Sequence, residues 1–170
     1  PGRMLEPEAL IAQLSEVFLQ RPLREQLPLR GLLEGRKVVI TAGPTFEPID
    51  PVRGITNRSS GQMGYALAAA CEAADAQVTL ISGPVSLACP EGVRRVSVTT
   101  AREMAEAVER ALADLRPHDL FIGVAAVADW RPEVASEHKL KKGQGADLSE
   151  LRWVENPDIL MAVAQRADPP

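Results

Sequence analysis

Short apolar β-branched runs alternate along this chain with segments of helical periodicity, and that alternation limits the fold more than any other feature. Val38-Val39-Ile40, Gln77 to Ser82, residues 93–98 and Asp119 to Val124 read as strands. The segments at about 62–75, with Met63, Leu67, Ala70, Cys71 and Ala74 on one face, and from Thr100 onward, with Met104, Val108, Ala111, Leu112 and Leu115, read as helices. Thr100-Ala101-Arg102-Glu103 has the Thr-x-x-Glu form of a capping box. Strands separated by crossover helices predict an α/β fold with a doubly wound, mostly parallel, Rossmann-like sheet. Leu151 to Val154 reads as a last strand. Asn156-Pro157-Asp158 reads as a helix start with Asn at the cap and Pro in the first turn.

The first strand reaches its helix only through a connection from Gly43 to Gly61, far longer than the ~2–6 residues of an ordinary βα turn. It ends in Ser59-Ser60-Gly61-Gln62-Met63-Gly64, small residues at a helix N-terminus, where unpaired amides and a partial positive charge attract anions. In doubly wound sheets, ligands bind beyond the carboxyl ends of the strands. The three least regular stretches, 41–61, 82–92 and 125–150, all fall there. A site for a phosphorylated ligand is expected.

Other classes find less support. The net charge of -4, from 19 basic and 23 acidic residues, carries no nucleic-acid footprint. Cys71 and Cys89 have neither metal-ligand spacing nor disulfide density, which suggests a reducing, cytoplasmic setting. No signal peptide pattern or apolar run of membrane-spanning length is visible in the sequence. A nicotinamide-dinucleotide site is disfavoured because Gly43 lacks a close G-x-x-G continuation. After the second strand stands Ser82-Gly83-Pro84, where a ribose-binding acid would be expected.

Several motifs in one order are more specific. ITAGPT at 40–45, EPIDPVR at 47–53, NRSSG with Met63-Gly64, SGPVSL at 82–87, AAVADW at 125–130, the cluster Lys139 to Lys142, and NPDIL at 156–160 resemble phosphopantothenate–cysteine ligase, or phosphopantothenoylcysteine synthetase. The likeness is to the bacterial form, fused behind a flavin-dependent decarboxylase. It implies that residues 1–35 are a helix and linker from the decarboxylase tail, and that 36–170 form a synthetase domain incomplete at its C-terminus. The implied reaction couples 4'-phosphopantothenate to L-cysteine with CTP, through an acyl-cytidylate, with Mg²⁺ balancing the triphosphate. FMN would belong only to the decarboxylase portion, and a homodimer is implied. The metal ligands stay unassigned.

The resemblance also implies residue roles. Asn57 would hold the acyl-nucleotide, and Lys139 would stabilise charge during its formation. Gly43, Ser59, Ser60, Gly61, Gly64 and Ala126 would accompany Asn57 at the pantothenate acid. Gly123, Val124, Ala125, Asp129, Asn156, Pro157, Asp158 and Ile159 would join Lys139 at the nucleotide. Each has a simpler alternative: a turn Asn, a helix cap, a turn acid, a solvated lysine loop. A rival of another class is a non-catalytic fragment that binds the acid or nucleotide. His118 and His138 read as surface residues, and Cys71 as core.

Overall fold

The computed structural model describes residues 31–113, 115, 119–140, 151–167 and 169–170. The helix expected at the start of residues 1–35, together with His118, Lys141 and Lys142, lies outside the described residues.

The strands are β1 (Lys37–Ala42), β2 (Phe46–Asp50), β3 (Arg53–Thr56), β4 (Gln77–Ser82), β5 (Arg94–Ser97), β6 (Leu120–Gly123), β7 (Trp130–Pro132) and β8 (Trp153–Glu155). The helices are α1 (Gln62–Ala73), α2 (Ala101–Leu112) and α3 (Ile159–Ala164). The main sheet has the order β5-β4-β1-β6, every pairing parallel. Alternation along β1 divides the core in two. Val38, Ile40 and Ala42 pack with Val78 and Leu80 against Tyr65 and Ala68 of α1. Val39 packs with Ile81 against Met104, Ala107, Val108 and Leu112 of α2, and against Ile159 and Val163 of α3. Helices on both faces make the sheet doubly wound, as the alternation predicted.

The connection through α1 carries the chain from β1 to β4 on one side, and the connection through α2 carries it from β5 back across to β6 on the other. The direction of winding therefore switches between β1 and β6. Their carboxyl ends diverge there and leave a crevice.

Several local expectations need correction. Met63 and Ala70 face solvent, and the inward residues of α1 are Gly64, Tyr65 and Ala68. The helix turns this face because Gly64 has no side chain: a Cβ there would lie 2.4 Å from Ala42 Cβ. Apolar periodicity does not count a glycine, so the close approach was missed. The strand expected at 151–154 is β8, which leaves the main sheet and pairs antiparallel with β7. The strand expected at 119–124 is β6, one of the two edge strands of the four-stranded sheet among the described residues, and its Leu120 is 40% exposed. The last helix is capped by Asp158, whose side chain accepts from Met161 N at 2.8 Å, rather than by Asn156. Asn156 is committed elsewhere, and Pro157 precedes the cap instead of entering the first turn. The connection from Gly43 to Gly61 also holds the antiparallel hairpin β2–β3.

The expected capping box at Thr100 is present. Thr100 Oγ1 accepts from Glu103 N, and Glu103 Oε2 accepts from Thr99 N and Thr100 N. Beneath it the buried carboxylate of Glu47 accepts from Ala101 N at 2.8 Å, tying the hairpin to α2.

Candidate functional site

Two helix N-termini, those of α1 and α2, sit beyond the carboxyl ends of the sheet, and they are finished differently. At α2, side chains occupy the first amides: Glu47 takes Ala101, and Thr100 takes Glu103. At α1 the cap is Gly61, left-handed at φ 76, with no side-chain capping bond. Ser59 Oγ and Ser60 Oγ accept only long bonds, 3.3 Å from Gly61 N and 3.4 Å from Gln62 N. No acceptor is present for Met63 N or Gly64 N among the described residues. The first turn of α1 is thus an open cradle of N–H donors and hydroxyls, suited to an anion. Gly43 and Gly61 lie side by side here: a Cβ on Gly61 would stand 3.4 Å from Gly43 Cα. The residues expected to hold the acid's phosphate, Gly43, Ser59, Ser60, Gly61 and Gly64, are brought together.

The second half of the site lies in the β1/β6 crevice. A cavity of about 430 Å³ is lined by Thr41, Gly123, Ala125, Asp129, Trp130 and the segment 155–160, among others. Seven residues expected at the nucleotide contribute to it: Gly123, Ala125, Asp129, Asn156, Pro157, Asp158 and Ile159. Val124 does not. Its side chain packs in the layer between the sheet and α1. Lys139 is exposed and outside the lining.

Ala126 joins the two halves. Its N–H donates to Gly43 O at 2.8 Å, and its carbonyl accepts from Thr45 N and from Asn57 Nδ2, both at 3.3 Å. Asn57 Nδ2 also donates to Val127 O at 2.9 Å. The Asn57 amide nitrogen therefore lies within hydrogen-bond distance of two successive backbone carbonyls, which holds the side chain against residues 126 and 127. Donation from Asn57 to a ligand oxygen, expected from sequence, would require one of these bonds to exchange.

Threonines that the sequence reading did not single out hold this junction. Thr45, wholly buried, accepts from Ala128 N through Oγ1 at 3.0 Å and from Thr56 Oγ1 through its carbonyl at 2.8 Å. Thr41 Oγ1 accepts from Ala125 N at 3.4 Å. Asn156 also serves as a clamp: Nδ2 donates to Ala128 O at 2.7 Å, its N–H donates to Asp129 O, and Oδ1 accepts from Arg131 at 3.2 Å. A pattern of single threonines carries no sequence signal. Their importance comes from strands brought together by the sheet.

Electrostatically, the site carries few committed charges. The carboxylate of Asp129, at the cavity, makes no hydrogen bond among the described residues. No group of three His, Cys, Asp or Glu among the described residues is arranged to hold a metal ion. Asp129, Glu155 and Asp158 line the cavity, with Asp158 Oδ1 already engaged by Met161 N, a carboxyl lining that suits a hydrated magnesium ion carried on phosphates rather than an all-protein metal cage. Burial pushes the Cys71 thiol up, and the half-buried side chain packs against the core between the sheet and α1. Cys89 donates to Val93 O at 3.3 Å, away from the cavity.

A family model described as DNA/pantothenate metabolism flavoprotein C-terminal domain matches residues 33–169. A coenzyme A biosynthesis bifunctional protein CoaBC of Vibrio parahaemolyticus is 51% identical over 168 residues, covering 99% of this chain and 39% of the relative. The protein of the same name from Escherichia coli K12 is 45% identical over 170 residues, with the same coverage. The chain thus spans about two-fifths of the length of these relatives. Among solved structures, the C-terminal domain of a CoaBC superposes with a TM-score of 0.68 at 37% identity, covering 82% of this chain and 63% of that one. A Cab2 mutant in complex with phosphopantothenate–cysteine shares the fold, with a TM-score of 0.63 at 18% identity over 99% of this chain and 69% of its own.

Proposed function

We propose, from the premise that this chain belongs to the DNA/pantothenate metabolism flavoprotein C-terminal domain family, that it is the ligase portion of a coenzyme A biosynthesis enzyme. The reaction joins 4'-phosphopantothenate to L-cysteine with CTP, through an acyl-cytidylate. One observation carries the reading: Ala126 hydrogen-bonds at once to Gly43, Thr45 and Asn57, so the open helix terminus and the β1/β6 cavity abut at a single backbone unit. That is what acyl activation requires, an anionic acid and a nucleotide held so that carboxylate and α-phosphate meet.

In this reading the α1 cradle receives the acid's phosphate on N–H donors, a fixed array that needs no reorganisation as charge develops. The cavity takes the nucleotide. Asn57, pinned to residues 126 and 127, stands at the boundary where the acyl group forms. Lys139 approaches the triphosphate from outside, and the carboxylate of Asp129 would face a magnesium ion carried on the phosphates, which would supply charge neutralisation. The steps need cations and donors more than a side-chain nucleophile, and the described part of the site contains no Ser–His or Cys–His pair. The decarboxylase partner domain, its FMN and a homodimeric assembly extend the same proposal to the full-length protein.

The test is pyrophosphate release by the full-length protein. Release from CTP should depend on phosphopantothenate; release that ignores the acid rules the reading out. The binding-module alternative is distinguished by calorimetry, since it requires ligand binding without turnover in the full-length protein.

A further inference from the structure

The EPIDPVR motif supplies a buried carboxylate that the site described above does not use. Asp50 has a fully covered side chain. Its Oδ1 accepts from Val52 N and Arg53 N, both at 2.9 Å, and its Oδ2 accepts from Arg53 Nε at 3.0 Å and Nη2 at 2.6 Å. One further bond leaves the hairpin: Leu140 N donates to Asp50 Oδ2 at 3.1 Å. Arg53 Nη2 reciprocates by donating to Leu140 O at 2.6 Å. The backbone of Leu140 is thus gripped on both its N–H and its C=O by one ion pair. Four residues earlier, Ser136 N donates to Ile49 O at 2.9 Å. Lys139 lies between these two attachments, next to the stronger one.

We propose that Asp50 and Arg53 are a positioning pair that fixes the backbone at Leu140 and thereby sets where Lys139 stands relative to the β1/β6 cavity. The proposal rests on the reading of Lys139 as a nucleotide-contacting group. A turn alone would be satisfied by the Asp50 bonds to Val52 and Arg53. The two bonds to Leu140 span a sequence separation of 87 to 90 residues and add nothing to the turn. They gather the hairpin, which also supplies Asn57 at its far end, and the lysine segment into one unit. An isolated side chain on a solvated loop would spread over many positions, and an ångström of misplacement costs up to about 100-fold in rate.

The experiment uses the full-length protein with Asp50→Asn, Leu140→Pro and Lys139→Gln, singly and as Asp50→Asn/Lys139→Gln. Leu140→Pro removes the N–H while leaving the Asp50–Arg53 ion pair in place, so it carries the test if Asp50→Asn fails to fold. Single-turnover pyrophosphate release at saturating phosphopantothenate is measured beside calorimetric affinity for that acid. The expected result is a release rate lowered by about 10- to 100-fold in each single variant, acid affinity changed by less than about twofold, and no further loss when Asp50→Asn is added to Lys139→Gln. Unchanged rates, a loss of acid affinity in step with the rate, or a fully additive double variant would overturn the positioning role. A Lys139→Gln protein as fast as wild type would overturn the nucleotide assignment of Lys139 and the proposal with it, a pattern distinct from the additive one.

Discussion

Gly64 shows how much one missing side chain decides. Its backbone lies against Ala42, and an added Cβ would meet Ala42 Cβ at 2.4 Å and Val124 Cγ2 at 3.2 Å. Gly64→Ala should cost about 1–3 kcal/mol through overpacking, outweighing the gain in helix propensity of about 1 kcal/mol. Urea denaturation measures this; a stabilised variant would contradict the packing. Asn57→Asp replaces an amide that donates to two carbonyls with a carboxylate that repels both. The expected result is a turnover loss of about 100-fold from misplacement of the residue at the junction, with the fold retained and the melting temperature lowered by loss of the two bonds. Stopped-flow turnover beside a melting curve separates the two effects. Asp50 titrates in its own range. The Arg53 guanidinium, aided by backbone N–H groups, holds its carboxyl well below the usual carboxylate range. Because the folded value is depressed, the stabilisation is fully present above the unfolded value of about 3.9 and is lost as pH falls through the folded value. The stability gap between wild type and Asp50→Asn should therefore be flat above about pH 5 and close as acid is added below about pH 4. Acid-unfolding curves of the two proteins check it.

At the scale of elements, the hairpin β2–β3 is fastened at four places: by Glu47 to the start of α2, by Phe46 N to Thr99 O at 2.8 Å, by Ile49 O to Ser136 N at 2.9 Å, and by Asp50 and Arg53 to Leu140. Glu47→Ala leaves the Ala101 amide buried without its acceptor, at a cost of about 1–3 kcal/mol. Thr100→Ala, which removes a half-exposed cap, should cost about 1 kcal/mol. Chemical denaturation should rank them in that order; equal costs would mean that Glu47 is not a buried cap. The strands and helices of the main sheet were legible in sequence because each writes its own period: Val38 and Ile40 against Val39 along β1, Met104 and Val108 along α2. The capping box was legible for the same reason. The hairpin was not, because Pro48 and Pro51 look like loop residues and its pairing partners lie within the same irregular stretch. Nor was the true role of Asn156, which looked like a helix cap. Its bonds to Ala128, Asp129 and Arg131 join segments that only the fold brings together. Clamps such as Thr45 and Asp50 depend on contacts many residues apart, and no local spacing encodes them.

Considered whole, the molecule places an open helix terminus and a cavity of about 430 Å³ on either side of the β1/β6 switch point, joined at Ala126. The motifs at 57–64 and 123–129 were read as parts of one site, and the structure brings them together because β1 and β6 are neighbours in the sheet. If the proposed ligase reading holds, acid and nucleotide react before cysteine is needed. The most direct measurement is exchange of labelled pyrophosphate into CTP by the full-length protein, without cysteine. Exchange that appears only when phosphopantothenate is present, and that falls sharply in Asn57→Asp and Lys139→Gln, is the predicted result. Exchange without the acid, or none with it while cysteine still drives ligation, would contradict an acyl-nucleotide formed at this junction.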